Sequence, residues 1–138
     1  MAADARRAMD AARGGRCAIE EGLGPPDDTA LRAMLDGRDA VVVAGVYEGV
    51  VVGIGVGAAR WGMGTVPTGQ VRTLYVEPGA RGVGVGEAVL DALVAWCAAR
   101  GCRGVDITTL PGDRETKSLL ERAGFAARSV VMHRSLRA

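Results

Sequence analysis

The chain has 138 residues, 49% of them hydrophobic, and its 17 basic and 16 acidic residues leave a formal charge of +1. This length and apolar content predict a single domain over 1–138 with enough material for a buried core, and exclude a disordered chain. Near-neutral charge lacks the basic footprint of a dedicated nucleic-acid binder, so any anionic ligand must be held locally.

In chain order, Ala3 to Ala12 has helix-forming composition, Gly14 to Pro26 reads as loop, and Asp28 caps a short helix that Gly37 ends. Val41 to Tyr47 and Val50 to Val56 form a β-hairpin around Glu48-Gly49, and their nearly continuous apolar character suggests strands in the middle of a sheet, covered on both faces. Gly53, Gly55 and Gly57 thin the second strand where another backbone or a ligand passes close by. Arg60 to Gly69 is a glycine-containing loop, and Trp61 and Met63 in it are candidates for an acceptor site. Val71 to Val76 is a third strand closed by Pro78-Gly79. Gly86 to Ala99 is a helix with Val89, Leu90, Leu93, Trp96 and Cys97 along one side. Arg103 to Thr108 is a short strand, Asp113 opens a helix running to Ala123 with Gly124 as its C-terminal cap, and Arg128 to Arg134 is a last strand. The order of elements points to an α/β sheet with helices on both faces.

Cys17, Cys97 and Cys102 are too few for a disulfide framework and lack metal or redox spacing, which fits a cytoplasmic protein with reduced thiols. The N-terminus mixes charges into its alanines and has no signal-peptide core. Residues 40–59 carry only Glu48 as a charge, but Glu48-Gly49 breaks the stretch as a hairpin turn would, so no membrane association is expected.

The chemistry concentrates in Arg81-Gly82-Val83-Gly84-Val85-Gly86, between a strand and the start of a helix. There the unpaired N–H groups and the positive end of the helix dipole face one point, which makes an anion site. A P-loop requires Lys and Ser or Thr after its last glycine, where Glu87-Ala88 stands. A dinucleotide fingerprint at Gly53 to Ala58 has no helix after it.

The loop resembles the pyrophosphate loop of the GNAT superfamily of acyl-CoA-dependent N-acyltransferases. Leu74-Tyr75-Val76-Glu77-Pro78 is similar to that family's signature strand and proline turn, and Leu119 to Phe125 to the end of its last helix. The resemblance covers roughly Val41 to Leu136. It implies a mixed, mostly antiparallel sheet in which the parallel pair Val71–Val76 and Arg103–Thr108 splays apart. It also implies that acetyl-CoA, or another acyl-CoA, lies with its pyrophosphate on Arg81, Gly82, Val83, Gly84, Val85, Gly86 and Glu87, and its pantetheine along Leu74, Tyr75 and Val76. A primary amine on a small molecule or peptide would attack the thioester directly, with the N–H of Tyr75 or Val76 stabilising the oxyanion. No metal is needed.

The chain departs from the pattern in three places. Leu120 stands where the family's frequent Tyr protonates the departing thiolate, and Asp113 replaces a frequent Asn. No strand precedes the first helix, so either Cys17 to Ile19 replaces it or the sheet is one strand short, with an edge open to a second copy in a homodimer. No general base stands out. Asp106 reads as a solvated strand position, His133 as an exposed strand end, and Cys97 and Cys102 as small hydrophobes, while Tyr75 faces either acceptor or core. The alternative to an enzyme is a non-catalytic CoA-binding sensor or structural domain on the same fold.

Overall fold

A computed structural model describes residues 1–20, 22 and 24–137. Its elements are helices α1 (Ala2–Ala11), α2 (Gly15–Glu20) and α3 (Asp28–Asp36), strands β1 (Ala40–Tyr47), β2 (Val50–Arg60) and β3 (Thr68–Val76), helix α4 (Val85–Ala99), strand β4 (Val105–Ile107) and helix α5 (Arg114–Arg122). The four strands form one sheet in the order β1-β2-β3-β4, antiparallel except for the parallel pair β3–β4.

Local chemistry explains most boundaries. Glu48 and Gly49 both take positive φ, 49° and 80°, which gives the tight hairpin its primed twist. Asp27, one residue before the expected cap, accepts a hydrogen bond from the Ala30 N–H at the start of α3, and Asp113 does the same for Thr116 at the start of α5. Gly124, with φ +89°, follows the end of α5.

The glycines in β2 serve the packing of α4. A Cβ on Gly55 would stand 2.5 Å from Val89 Cγ1, and one on Gly45 of β1 would stand 2.6 Å from Val85 Cγ1. The bare strands let α4 lie close, so that Val89, Leu90, Leu93 and Cys97 are almost wholly buried against the sheet. Val52, Val71, Val85 and Leu120 complete this core. On the face turned away from α4, Val56 is 1% exposed, and α1 packs on β3.

Several expectations need correction. Only half of the hairpin is central: β2 lies between β1 and β3 and is largely buried, whereas among the described residues β1 is an edge strand, with Val46 and Tyr47 exposed near its tip. The expected loop Gly14 to Pro26 contains α2, so Cys17 to Ile19 is helical and supplies no strand. Arg128 to Arg134 is not a strand, and Val130, Val131 and Met132 are each more than three-quarters exposed. β-Branched composition favours a pleated, half-buried surface, and among the described residues this segment has no partner to provide one. Residues 40–59 are the β1–β2 hairpin, and among the described residues no helix is long and apolar enough to cross a membrane.

Candidate active site

The parallel pairing of β3 and β4 lasts only from Gly69↔Val105 to Val71↔Ile107, and beyond that rung the strands part. The gap opens into a cleft of about 760 Å³, walled by β3 from Gln70 to Val76, by 107–110, by the small residues of α1 and by the first turns of α4 and α5.

Strand geometry dictates which backbone groups face this gap. The Glu77 N–H donates to the Val52 carbonyl at 2.8 Å, which sets the hydrogen-bonded rungs of β2–β3 at every second residue. Tyr75, opposite Ile54, is therefore a rung toward β2, whereas Leu74 and Val76 turn their N–H and C=O groups toward the cleft. The Arg81 side chain agrees with this direction, since its Nε donates to the Val76 carbonyl at 3.0 Å.

At one end of the cleft stands the glycine loop. Gly82 and Gly84 both adopt left-handed φ, +83° and +87°, and alternate with residues of negative φ, the geometry of a backbone anion nest. From Gly82 to Glu87, no N–H donates to an acceptor among the described residues; the first N–H of α4 that does is that of Ala88, to the Gly84 carbonyl at 3.1 Å. A run of free donors at the positive end of a fifteen-residue helix fits a pyrophosphate. Nothing lies within 4 Å of a Cβ built on Gly82 or Gly84, so the space in front of the nest is open. Leu74, Tyr75, Val76, Arg81, Gly82, Gly84, Val85, Gly86 and Glu87 all border the cleft; Val83 does not, and lies half in solvent.

The charged groups around the cleft are mostly engaged with one another. Arg81 pairs with Glu115 at 3.3 Å and Glu87 with Arg122 at 3.2 Å, while Asp113 is spent on capping α5 and on the Thr116 hydroxyl at 2.7 Å. Among the described residues, no carboxylate of the wall is left as an unengaged base. Two hydroxyls in the same wall, Thr73 Oγ1 and Thr109 Oγ1, are buried without a hydrogen-bond partner among the described residues. Neither threonine stood out in the sequence, because an unpaired hydroxyl is visible only once the strands are placed.

Other candidates fall elsewhere. Leu120 does not border the cleft; it is 4% exposed and packs in the α4 core, while Thr116, Leu119 and Arg122 present α5 to the cleft. Asp106 lies in a smaller hollow with Trp61, Arg60 and Arg128, where its ion pair with Arg128 holds its carboxyl below the ordinary value. Neither Trp61, which lines the smaller hollow, nor Met63, which is fully exposed, borders the cleft. His133 is exposed beyond α5. Cys97 is buried, and burial followed by the proximity of Cys102 pushes its thiol up to about 11, which leaves it no nucleophile.

Residues 10–125 match the profile of the Acetyltransferase (GNAT) family. The chain belongs to the GNAT acetyltransferase family. It is 30% identical over 112 aligned positions, covering 75% of this chain and 73% of the relative, to the Stenotrophomonas maltophilia protein named aminoglycoside N(6′)-acetyltransferase type 1. Among solved structures, AAC(6′)-Iy in complex with the bisubstrate analog CoA-S-monomethyl-acetylneamine has a TM-score of 0.69 at 22% identity, with 83% of each chain covered. A tetramutant of the BH1408 protein from Bacillus halodurans has a TM-score of 0.72 at 17% identity, covering 81% of this chain and 76% of that one. These likenesses carry the expected GNAT fold with its mixed sheet, and the family takes an acyl-CoA as co-substrate.

Proposed function

We propose that this GNAT protein moves an acetyl group from acetyl-CoA to a primary amine of a small molecule by direct attack. The observation that carries the reading is the run of free N–H groups from Gly82 to Glu87, set at one end of a cleft whose side is the unpaired edge of β3. The pyrophosphate would take the nest, with Arg81 exchanging Glu115 for a phosphate oxygen. The pantetheine amides would take the partners that β4 no longer offers, at Leu74 and Val76. The amine lone pair attacks the thioester carbon, the carbonyl oxygen gains charge, and collapse breaks the C–S bond to release CoA as a thiolate. Between Tyr75 and Val76, the direction of the backbone favours the Val76 N–H as the oxyanion donor, which leaves the Val76 carbonyl, with its second lone pair, for the pantetheine.

A small-molecule acceptor is supported by the relative named as an aminoglycoside acetyltransferase and by the bisubstrate analog bound to AAC(6′)-Iy. Among the described residues the cleft wall is slightly basic, since Arg72, Arg81, Arg114 and Arg122 outnumber Glu87, Asp113 and Glu115. That balance suits the anionic CoA more than a polycationic acceptor.

A second reading, a CoA-binding sensor without turnover, is favoured by Leu120, whose side chain is buried in the core and has no proton to give. Thiol release from acetyl-CoA with a panel of primary amines separates the two. Transfer requires amine-dependent release at a rate above the amine-free control; acetyl-CoA binding with no release on any amine refutes it in favour of the sensor.

A further inference from the structure

Among the described residues, the buried side-chain polar atoms without a hydrogen-bond partner are Thr73 Oγ1 and Thr109 Oγ1, and both residues border the same cleft. Both lie just past the last rung of the parallel pair, Val71↔Ile107: Thr109 two residues after Ile107, and Thr73 after Val71 across a β-bulge that skips Arg72 and sets Thr73 opposite Val56. A buried hydroxyl with no partner is a net cost to the folded state, and valine has the same shape without that cost. Thr73 is 6% exposed in a strand where valine would suit equally well. Two such costs, one on each lip of a single opening, indicate a partner that arrives with a ligand. A hydroxyl can both donate and accept, which suits a chain of amides and a thioester.

Resting on the acyl-CoA reading above, we propose that Thr73 and Thr109 are the side-chain hydrogen-bonding contacts for the amide-and-thioester arm of acyl-CoA, gripping it from β3 and from the segment after β4. They add to the backbone contacts of Leu74 and Val76 and act where Leu120 is absent from the wall. The grip is specific to the arm, because the nucleotide end of the ligand lies at the glycine loop.

The test is equilibrium binding of acetyl-CoA and of adenosine 3′,5′-bisphosphate, which lacks the arm, to the wild type, Thr73→Val, Thr109→Val and the two Thr→Ser variants. Each valine variant is expected to bind acetyl-CoA about fivefold more weakly, the worth of one hydrogen bond, with the serine variants within about twofold of wild type. Binding of the bisphosphate stays unchanged, and the ligand-free melting temperature of the valine variants does not fall. Unchanged acetyl-CoA affinity in both valine variants overturns the inference, as does an equal loss for the bisphosphate. A wild type that binds no acetyl-CoA overturns the acyl-CoA reading as well, so the two failures are distinguishable.

Discussion

Replacing Gly84 by Asp and by Asn tests the anion nest with two side chains of nearly equal size. Gly84 sits at φ +87°, and nothing lies within 4 Å of an added Cβ, so neither substitution clashes and both carry the same left-handed backbone penalty of about 1 kcal/mol. In a domain of this size that penalty lowers the melting temperature by about 4 °C. Without ligand, Asp at the N-terminus of α4 recovers about 0.5 kcal/mol from the helix dipole, so the Asp variant melts above the Asn variant. With acetyl-CoA at a hundred times its dissociation constant, wild type gains about 2.7 kcal/mol, or roughly 10 °C. A carboxylate about 4 Å from a phosphate charge costs about 4 kcal/mol at an effective dielectric constant near 20, more than the ligand supplies. The melting shift therefore disappears in Gly84→Asp and survives, reduced, in Gly84→Asn. Scanning fluorimetry with and without acetyl-CoA reads both signs. An Asp variant that keeps the wild-type shift, or an Asn variant that loses it as completely, refutes the assignment of the nest.

Gly55→Ala places a Cβ at 2.5 Å from Val89 and 2.8 Å from Leu93, and should cost about 1–3 kcal/mol by urea denaturation, since α4 has to move away from the sheet. Leu120→Ala empties a buried position in the same core; a loss of about 3 kcal/mol is expected with acetyl-CoA affinity retained, and weakened affinity would place Leu120 back at the site. Arg128 depresses the carboxyl of Asp106, chiefly through their hydrogen bond, below the ordinary 3.8. A depressed carboxylate stabilises the fold above its unfolded value and loses that contribution as pH falls through the folded one. Arg128→Ala should thus lower the melting temperature slightly at pH 7, and the difference from wild type should start to shrink near pH 3.8 and vanish only as pH falls through the lower folded value, a convergence that melting curves across pH will show.

What could be read from the sequence was what neighbouring residues decide. The nest is a local object, because glycines at 82 and 84 and the helix after them are enough to specify free N–H groups. The glycines of β2 were legible as a site of close approach, though only the fold shows that α4 is what approaches. The segment Arg128 to Arg134 misled because its valines describe a strand's needs and not whether a partner exists. α2 was missed because six residues between glycines and prolines carry too little periodicity to detect. Thr73 and Thr109 stayed hidden for a different reason: their significance arises from where two distant strands part, which no spacing along the chain records.

Binding and chemistry rest on different parts of this protein. On the proposed reading the loop and the open edge of β3 would orient an acyl-CoA through backbone groups, yet among the described residues the wall holds no unengaged carboxylate and Leu120 offers no proton. Attack then depends on the fraction of acceptor amine that is already neutral in solution. The logarithm of kcat/KM should rise with pH at a slope of about one until it reaches the pKa of the acceptor itself. Two acceptors whose amines differ by about two pKa units should displace the plateau by the same two units, because the inflection belongs to the substrate. A general base in the protein would instead hold the inflection at one pH for both amines. That outcome would reveal a titrating group that the ligand-free cleft keeps paired, with Glu115 and Glu87 the groups to test by conversion to Gln, since acyl-CoA would compete with them for Arg81 and Arg122.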